Sequence, residues 1–240
     1  MKNPFKKKIL ESPRKLYTLD HPKASISEAF RMLRTNLMYT GVDRELRVLL
    51  LTSSGPQEGK STTAANLAVA LAQAGKKVLI MDCDLRKPVQ HEIFGLQKDI
   101  GLTKYLAGYC TWEEIIQKTK LPNLSMISSG PTPPNPAEIL GSSIMDKLLE
   151  IVRAQFDFVV VDSPPAVTVT DAIILASKCD GVLVVVRSGI TRIAVIKETY
   201  ELLKSADAHV IGAILNGVSQ SAKRYGKYYR NYYNSYYEDE

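Results

Sequence analysis

Three short stretches carry side chains suited to handling phosphate. Ser54-Gly-Pro-Gln-Glu-Gly59-Lys60-Ser61 leads from an apolar β-branched run into a stretch with helical spacing. A glycine-bearing loop in that setting turns backbone N–H groups and the positive end of a helix toward an anion. Lys60 can then reach β/γ oxygens and the Ser61 hydroxyl can hold Mg²⁺. Gly55, Gln57, Glu58, Gly59 and Thr62 complete the expected nucleotide contacts around Lys60 and Ser61. The usual pattern has glycine where Ser54 stands, a place for positive φ, so the match is imperfect there. The second stretch is Val78-Leu-Ile-Met-Asp82-Cys-Asp84-Leu-Arg86. Residues two apart on a strand share a face, so Asp82 and Asp84 are expected side by side at a strand's C-terminal end. Such a pair repels unless a cation joins it, and Mg²⁺ on ATP would supply one. The third, Phe156-Asp-Phe-Val-Val-Val-Asp162-Ser-Pro-Pro165, is an apolar strand ending in a carboxylate that could hold Mg²⁺ directly or through water.

The C-terminus poses a different question. Seven of the chain's twelve tyrosines fall in its last sixteen residues: Tyr225, Tyr228, Tyr229, Tyr232, Tyr233, Tyr236 and Tyr237. Their neighbours are Lys, Arg, Asn, Ser, Glu and Asp, too polar to build a core, which predicts a mobile segment. Tyrosine is ordinarily at least half buried, so the cluster needs a purpose. A stacking surface for sugars or nucleic acid is one option. Beside a phosphate-transfer site, a phosphoacceptor cluster explains it better, each phosphate adding about −1.5 to −2 charges.

Elements that could position these groups follow from periodicity. Strands are predicted near residues 47–52, 77–82, 124–127, 157–162, 181–187 and 210–215. Several are apolar throughout, as a parallel sheet covered on both faces requires. Helical spacing marks 27–39, 60–74, 137–155 and 192–206, with Gly75 placed to end the second. The alternation predicts an α/β fold: a doubly wound, mainly parallel sheet with helices on both faces. Three regions result: a basic N-terminal segment (1–24), a nucleotide-binding domain (25–218) and the tyrosine-rich tail (219–240). The +6 net charge is concentrated early, with Lys2, Lys6, Lys7, Lys8, Arg14 and Lys15 in the first fifteen residues. These read as a solvated tail or as a membrane-surface contact. No apolar run is long enough to span a bilayer, and no nucleic-acid-binding module is recognisable. Cys83, Cys110 and Cys179 lack metal-ligand or redox spacing and are expected to be reduced, buried thiols of a cytoplasmic protein.

Taken together, the phosphate loop, the Asp82-x-Asp84-x-Arg86 strand and Asp162-Ser-Pro-Pro resemble the Walker A, A′ and B motifs of the bacterial tyrosine kinases (BY-kinases). That family shares its P-loop fold with MinD/ParA-type ATPases. The likeness covers roughly residues 25–240 and extends to the Pro131–Pro136 loop, the Ala137-Glu-Ile-Leu that follows it, and the tail. It implies an ATP- and Mg²⁺-dependent protein-tyrosine kinase with Lys60 on the phosphates and Asp82 as candidate base. Ser61, Asp84 and Asp162 would sit on the metal side, and Asn216 would contact adenine. It also implies the split type of the family, which acts in capsule or exopolysaccharide production. Such a kinase would be cytoplasmic, held at the membrane by a separate transmembrane activator, and opposed by a cognate tyrosine phosphatase. Nucleic acid is not an expected partner.

Ser25-Ile-Ser-Glu28 reads as a capping box, followed by an apolar stripe of Ile26, Phe30, Leu33 and Leu37. From the residues alone, Arg31 and Arg34 are solvated neighbours of that cap. The resemblance implies instead that Glu28, Arg31 and Arg34 join subunits into a homo-oligomeric ring, so that one tail reaches the next site. Two other readings stay open. One is a MinD/ParA-type regulatory ATPase without kinase activity, disfavoured because Gly55 stands where that branch carries its signature lysine. The other is a polysaccharide-assembly scaffold using the tail only for docking.

Overall fold

The computed structural model describes residues 16–40 and 45–218. All seven tail tyrosines and the basic cluster at residues 2–15 lie outside the described residues. Among the described residues, seven strands form one sheet: β1 (Val48–Ser53), β2 (Val78–Asp82), β3 (Ile116–Lys118), β4 (Leu124–Ile127), β5 (Phe158–Asp162), β6 (Gly181–Arg187) and β7 (Val210–Asn216). Their order is β3-β4-β2-β5-β1-β6-β7, parallel throughout except where the edge strand β3 runs antiparallel to β4. The six expected strands are present; β3 is an addition, its three residues too few to show a period.

Among the described residues, ten helices or helical turns connect and cover the sheet: α1 (Tyr17–Asp20), α2 (Ser25–Thr40), α3 (Lys60–Gln73), α4 (Gln90–Phe94), α5 (Leu102–Leu106), α6 (Trp112–Ile115), α7 (Pro136–Gly141), α8 (Ser143–Gln155), α9 (Asp171–Ala176) and α10 (Ile193–Ser205). The central strands β1, β2, β5 and β6 are apolar along most of their length because each feeds two cores. Leu49, Leu51, Val78, Ile80, Val160, Leu183 and Val185 pack with α3, and Leu37 of α2 joins that cluster. Val48, Leu50, Leu79, Met81, Val159, Val161, Val182 and Val184 pack with α8 and α9 on the other side. Successive side chains therefore serve opposite faces, the period of two that a covered parallel sheet imposes.

Three local expectations need correction. The stretch 137–155 is two helices: Ser142 is extended (φ −67, ψ 155), and its hydroxyl accepts from the Met145 N–H to begin α8. Helix α2 begins at Ser25 itself, its first N–H bonds running from Ser27 and Glu28 to the Ala24 carbonyl. Strand β2 ends at Asp82, so Asp84 reaches the site through the following loop and not through the pleat. Of the cysteines, Cys83 and Cys179 are buried and Cys110 is half-buried.

Candidate active site

The site forms where the C-terminal ends of β1, β2 and β5 meet the start of α3. Parallel register sets Asp82 of β2 directly opposite Asp162 of β5. Lys60, the first residue of α3, sends its ammonium between carboxylates: Nζ lies 2.6 Å from Asp162 Oδ1, 3.5 Å from Asp84 Oδ2 and 3.1 Å from Ser61 Oγ. All four charged groups are buried. Burial opposes the charge on Lys60, but Asp162 and Asp84 outweigh it and raise its pKa. For Asp84, burial raises the pKa while Lys60 partly restrains the rise.

Asp82 is held asymmetrically. Its Oδ2 accepts from the backbone N–H groups of Val89 and Gln90, each at 2.9 Å. Its Oδ1 is buried and has no partner. Burial, then the charge of Asp162, pushes this carboxyl up to about 8. A carboxylate with one oxygen anchored and the other open is oriented to accept a proton from a group entering the site.

The phosphate loop is braced from distant parts of the chain. Positive φ falls at Gln57 (61°) and Gly59 (90°), while Ser54 is absent from the positive-φ residues. The serine therefore carries no strain, and its hydroxyl is hydrogen-bonded to that of Thr199 on α10 at 2.9 Å. The Glu58 carboxylate accepts from the Ser54 N–H at 2.9 Å and from the Thr191 hydroxyl. Arg187 donates to the Gln57 carbonyl at 2.8 Å, and Asn216 Nδ2 to the Glu58 carbonyl at 2.9 Å. Asn216 thus lies against the loop. A Cβ on Gly59 would come within 2.0 Å of its amide, so glycine is required there by contact as well as by φ. Gly55 is half-buried at the loop's start, and Ser61 and Thr62 are half-buried in the first turn of α3.

The Asp82, Asp84, Asp162 and Lys60 set carries more formal negative than positive charge, and Ser61, Asp84 and Asp162 offer oxygen only, as Mg²⁺ prefers. Among the described residues no three His, Cys, Asp or Glu side chains form a metal cage of their own. Mg²⁺ suits this arrangement, because it is usually held by one or two carboxylates together with substrate phosphates. The residues present fit the ion.

Several contributors had no signal in the sequence. Gln90, wholly buried, donates from Nε2 to Asp162 Oδ2 at 2.7 Å. Asp171, also wholly buried, grips Arg86 with two bonds of 2.9 and 3.0 Å. The loop-bracing Thr191, Thr199 and Arg187 lie more than 120 residues from the loop they support. The sites Glu28, Arg31 and Arg34 lie apart from this centre on α2. There Arg31 pairs with Glu28 and donates to the Pro22 carbonyl, and Arg34 donates to the Ala70 carbonyl of α3 at 3.1 Å.

Comparison with known proteins agrees with this geometry. The model of a family described as AAA domain matches residues 55–210. The tyrosine-protein kinase YwqD of Bacillus subtilis (strain 168) is 43% identical over 85% of this chain and 86% of its own. The solved kinase domain of the Escherichia coli tyrosine kinase ETK aligns with a TM-score of 0.84 at 35% identity, over 86% of this chain and 81% of that one. The septum site-determining protein MinD with Mg-ADP, from Pyrococcus horikoshii OT3, aligns less closely: TM-score 0.64, 25% identity, 74% and 72% coverage. No helix among the described residues is long and apolar enough to cross a membrane.

Proposed function

Because the chain belongs to the bacterial tyrosine kinases, a protein-tyrosine kinase on a P-loop ATPase fold, we propose that it transfers the γ-phosphate of Mg·ATP to its own C-terminal tyrosines, mainly between subunits. The observation that carries this reading is the position of Asn216. The last residue of β7 touches the phosphate loop, so the chain leaves the described domain at the edge of the active site. At about 3.5 Å per extended residue, Tyr225 can lie up to ~30 Å from Asn216 and Tyr237 up to ~70 Å. A reach of that length lets the tail leave its own site for that of an adjoining subunit.

The residues act by placement and charge. The loop's N–H groups and Lys60 hold the β/γ-phosphates. Ser61, Asp84 and Asp162 would hold Mg²⁺, which would neutralise charge developing on the phosphates. With Mg²⁺ beside it favouring the ionised form, Asp82 would take the proton from the tyrosine hydroxyl through Oδ1 while Val89 and Gln90 keep Oδ2 in place. Asn216, which donates to the Glu58 carbonyl in the free protein, would turn its amide to adenine. Arg31 and Arg34 exchange their partners within the chain for carboxylates across a subunit boundary, and Glu28 exchanges Arg31 for a basic side chain there, closing a ring. The setting is capsule or exopolysaccharide synthesis, with the kinase brought to the membrane by a transmembrane activator and reset by a tyrosine phosphatase.

The test mixes two proteins: a full-length Lys60→Met chain, unable to transfer, and an active chain truncated after Ser219. Mass spectrometry after incubation with Mg·ATP should find phosphate on residues 225–237 of the full-length partner. Phosphate on the truncated chain alone would overturn the tail as acceptor. Wild type labelled at full rate at every dilution, with an unlabelled mixture, would overturn transfer between subunits.

A further inference from the structure

Gln90 opens α4 at the centre of the site and is fully buried. Its backbone N–H donates to Asp82 Oδ2 at 2.9 Å, and its Nε2 donates to Asp162 Oδ2 at 2.7 Å and to the Ser61 carbonyl at 3.0 Å. One residue therefore contacts both facing aspartates and the backbone of the serine that closes the phosphate loop. Lys60 takes the other oxygen of Asp162, so that carboxylate is clamped between an ammonium on one side and an amide on the other. The remaining polar atom, Gln90 Oε1, is buried and without a partner. Buried polar atoms are nearly always hydrogen-bonded, so an orphaned acceptor calls for a reason.

We propose that Gln90 is a positioning residue for the metal-holding carboxylate. Its Nε2 fixes the rotation of Asp162, so that Oδ1 points toward Lys60 and the phosphate side, and its bond to the Ser61 carbonyl ties that rotation to the start of α3. Its free Oε1 is an acceptor for a water of hydrated Mg²⁺, an ion that keeps several waters in nucleotide sites. Partners that orient a ligating carboxylate typically carry 10–100-fold in metal affinity. The arrangement links both aspartates through one short helix, because the same residue caps Asp82 with its backbone and steers Asp162 with its side chain.

This inference rests on the assignment of Asp162 to the metal, and its test reads nucleotide binding without any acceptor tyrosine. Binding of a fluorescent ADP analogue is titrated with Mg²⁺ for wild type, Gln90→Met, Gln90→Asn and Asp162→Asn, and repeated in EDTA. Gln90→Met keeps the shape and removes both donations and the acceptor. It should raise half-saturating Mg²⁺ by 10-fold or more while leaving affinity in EDTA within about twofold. Gln90→Asn, which keeps the amide on a shorter arm, should lie between Met and wild type. It carries the test if the Met variant does not fold. A Mg²⁺ dependence within twofold of wild type in a folded variant overturns the proposal, as does an equal loss of binding with and without Mg²⁺. An Asp162→Asn chain with normal Mg²⁺ dependence overturns it at its root, by removing the assigned ligand, and leaves the tail reading untouched.

Discussion

Replacing Asp82 by Asn should separate catalysis from stability. The folded carboxyl is pushed up to about 8, by burial first and Asp162 second, from an ordinary value of 3.8. Between those values the folded chain holds a proton that the unfolded chain has released. The stability this group contributes is complete below pH ~4 and is lost as pH rises through about 8. At ~1.4 kcal/mol per pH unit the interval amounts to at most about 6 kcal/mol. Relaxation of the cluster and water entry bring the expected figure to ~2–4 kcal/mol. Asparagine does not titrate. Its oxygen can still accept from Val89 and Gln90, but its NH₂ replaces an oxygen that has no partner, at a cost of about 1–3 kcal/mol. The nucleotide-free Asp82→Asn protein should therefore gain on wild type steadily from pH 5 to 8, with the difference levelling off above that. Urea unfolding of both proteins at pH 5, 6, 7, 8 and 9 measures it. Transfer to tyrosine should meanwhile fall 10²–10⁴-fold, the usual contribution of a positioned base. A stability difference that does not change with pH would refute the protonated, buried carboxyl. Normal transfer by the variant would refute its role as base.

Other perturbations test separate parts. Lys60→Met should abolish nucleotide binding, and because it strands Asp162 and Asp84 in a buried site it should also cost the free protein about 3–5 kcal/mol, read by thermal unfolding. Gly59→Ala should eliminate binding of a fluorescent ADP analogue, and Asn216→Ala should restore only part of it: the second change relieves the 2.0 Å contact but not the φ of +90°. Changing Glu28, Arg31 and Arg34 together to Ala should give monomers by light scattering, with a stability cost of only ~1 kcal/mol from the lost Glu28–Arg31 pair and the Arg34–Ala70 bond; a triple variant that assembles normally would leave Glu28 as a local partner of Arg31. Cys83 and Cys179, whose thiols burial pushes up, the latter to about 12, should resist iodoacetamide in the folded protein and react fully in urea, which mass spectrometry resolves.

Much of this molecule was legible in the chain because its signals are local. Runs such as Val159-Val-Val161 are apolar at every position, and only a strand with both faces covered uses all of them. The phosphate loop is contiguous, so its glycines, Lys60 and Ser61 announce themselves by spacing, and Asp82 and Asp162 each end an apolar strand. What tertiary structure decided is what lies between distant segments. Register alone puts Asp82 beside Asp162, eighty residues apart. Ser54 looked like a flaw in a glycine pattern until Thr199 of α10 supplied its partner and its backbone proved free of positive φ. Gln90 carries no pattern at all, since nothing in Pro88-Val-Gln90 says that its amide will meet a carboxylate on another strand. The helix break at Ser142 leaves the apolar spacing intact and so escapes a periodicity argument. Periodicity reports which face of an element is buried. Which side chains then converge depends on strand order and crossing connections, and those are set by the packing of the whole sheet against its helices.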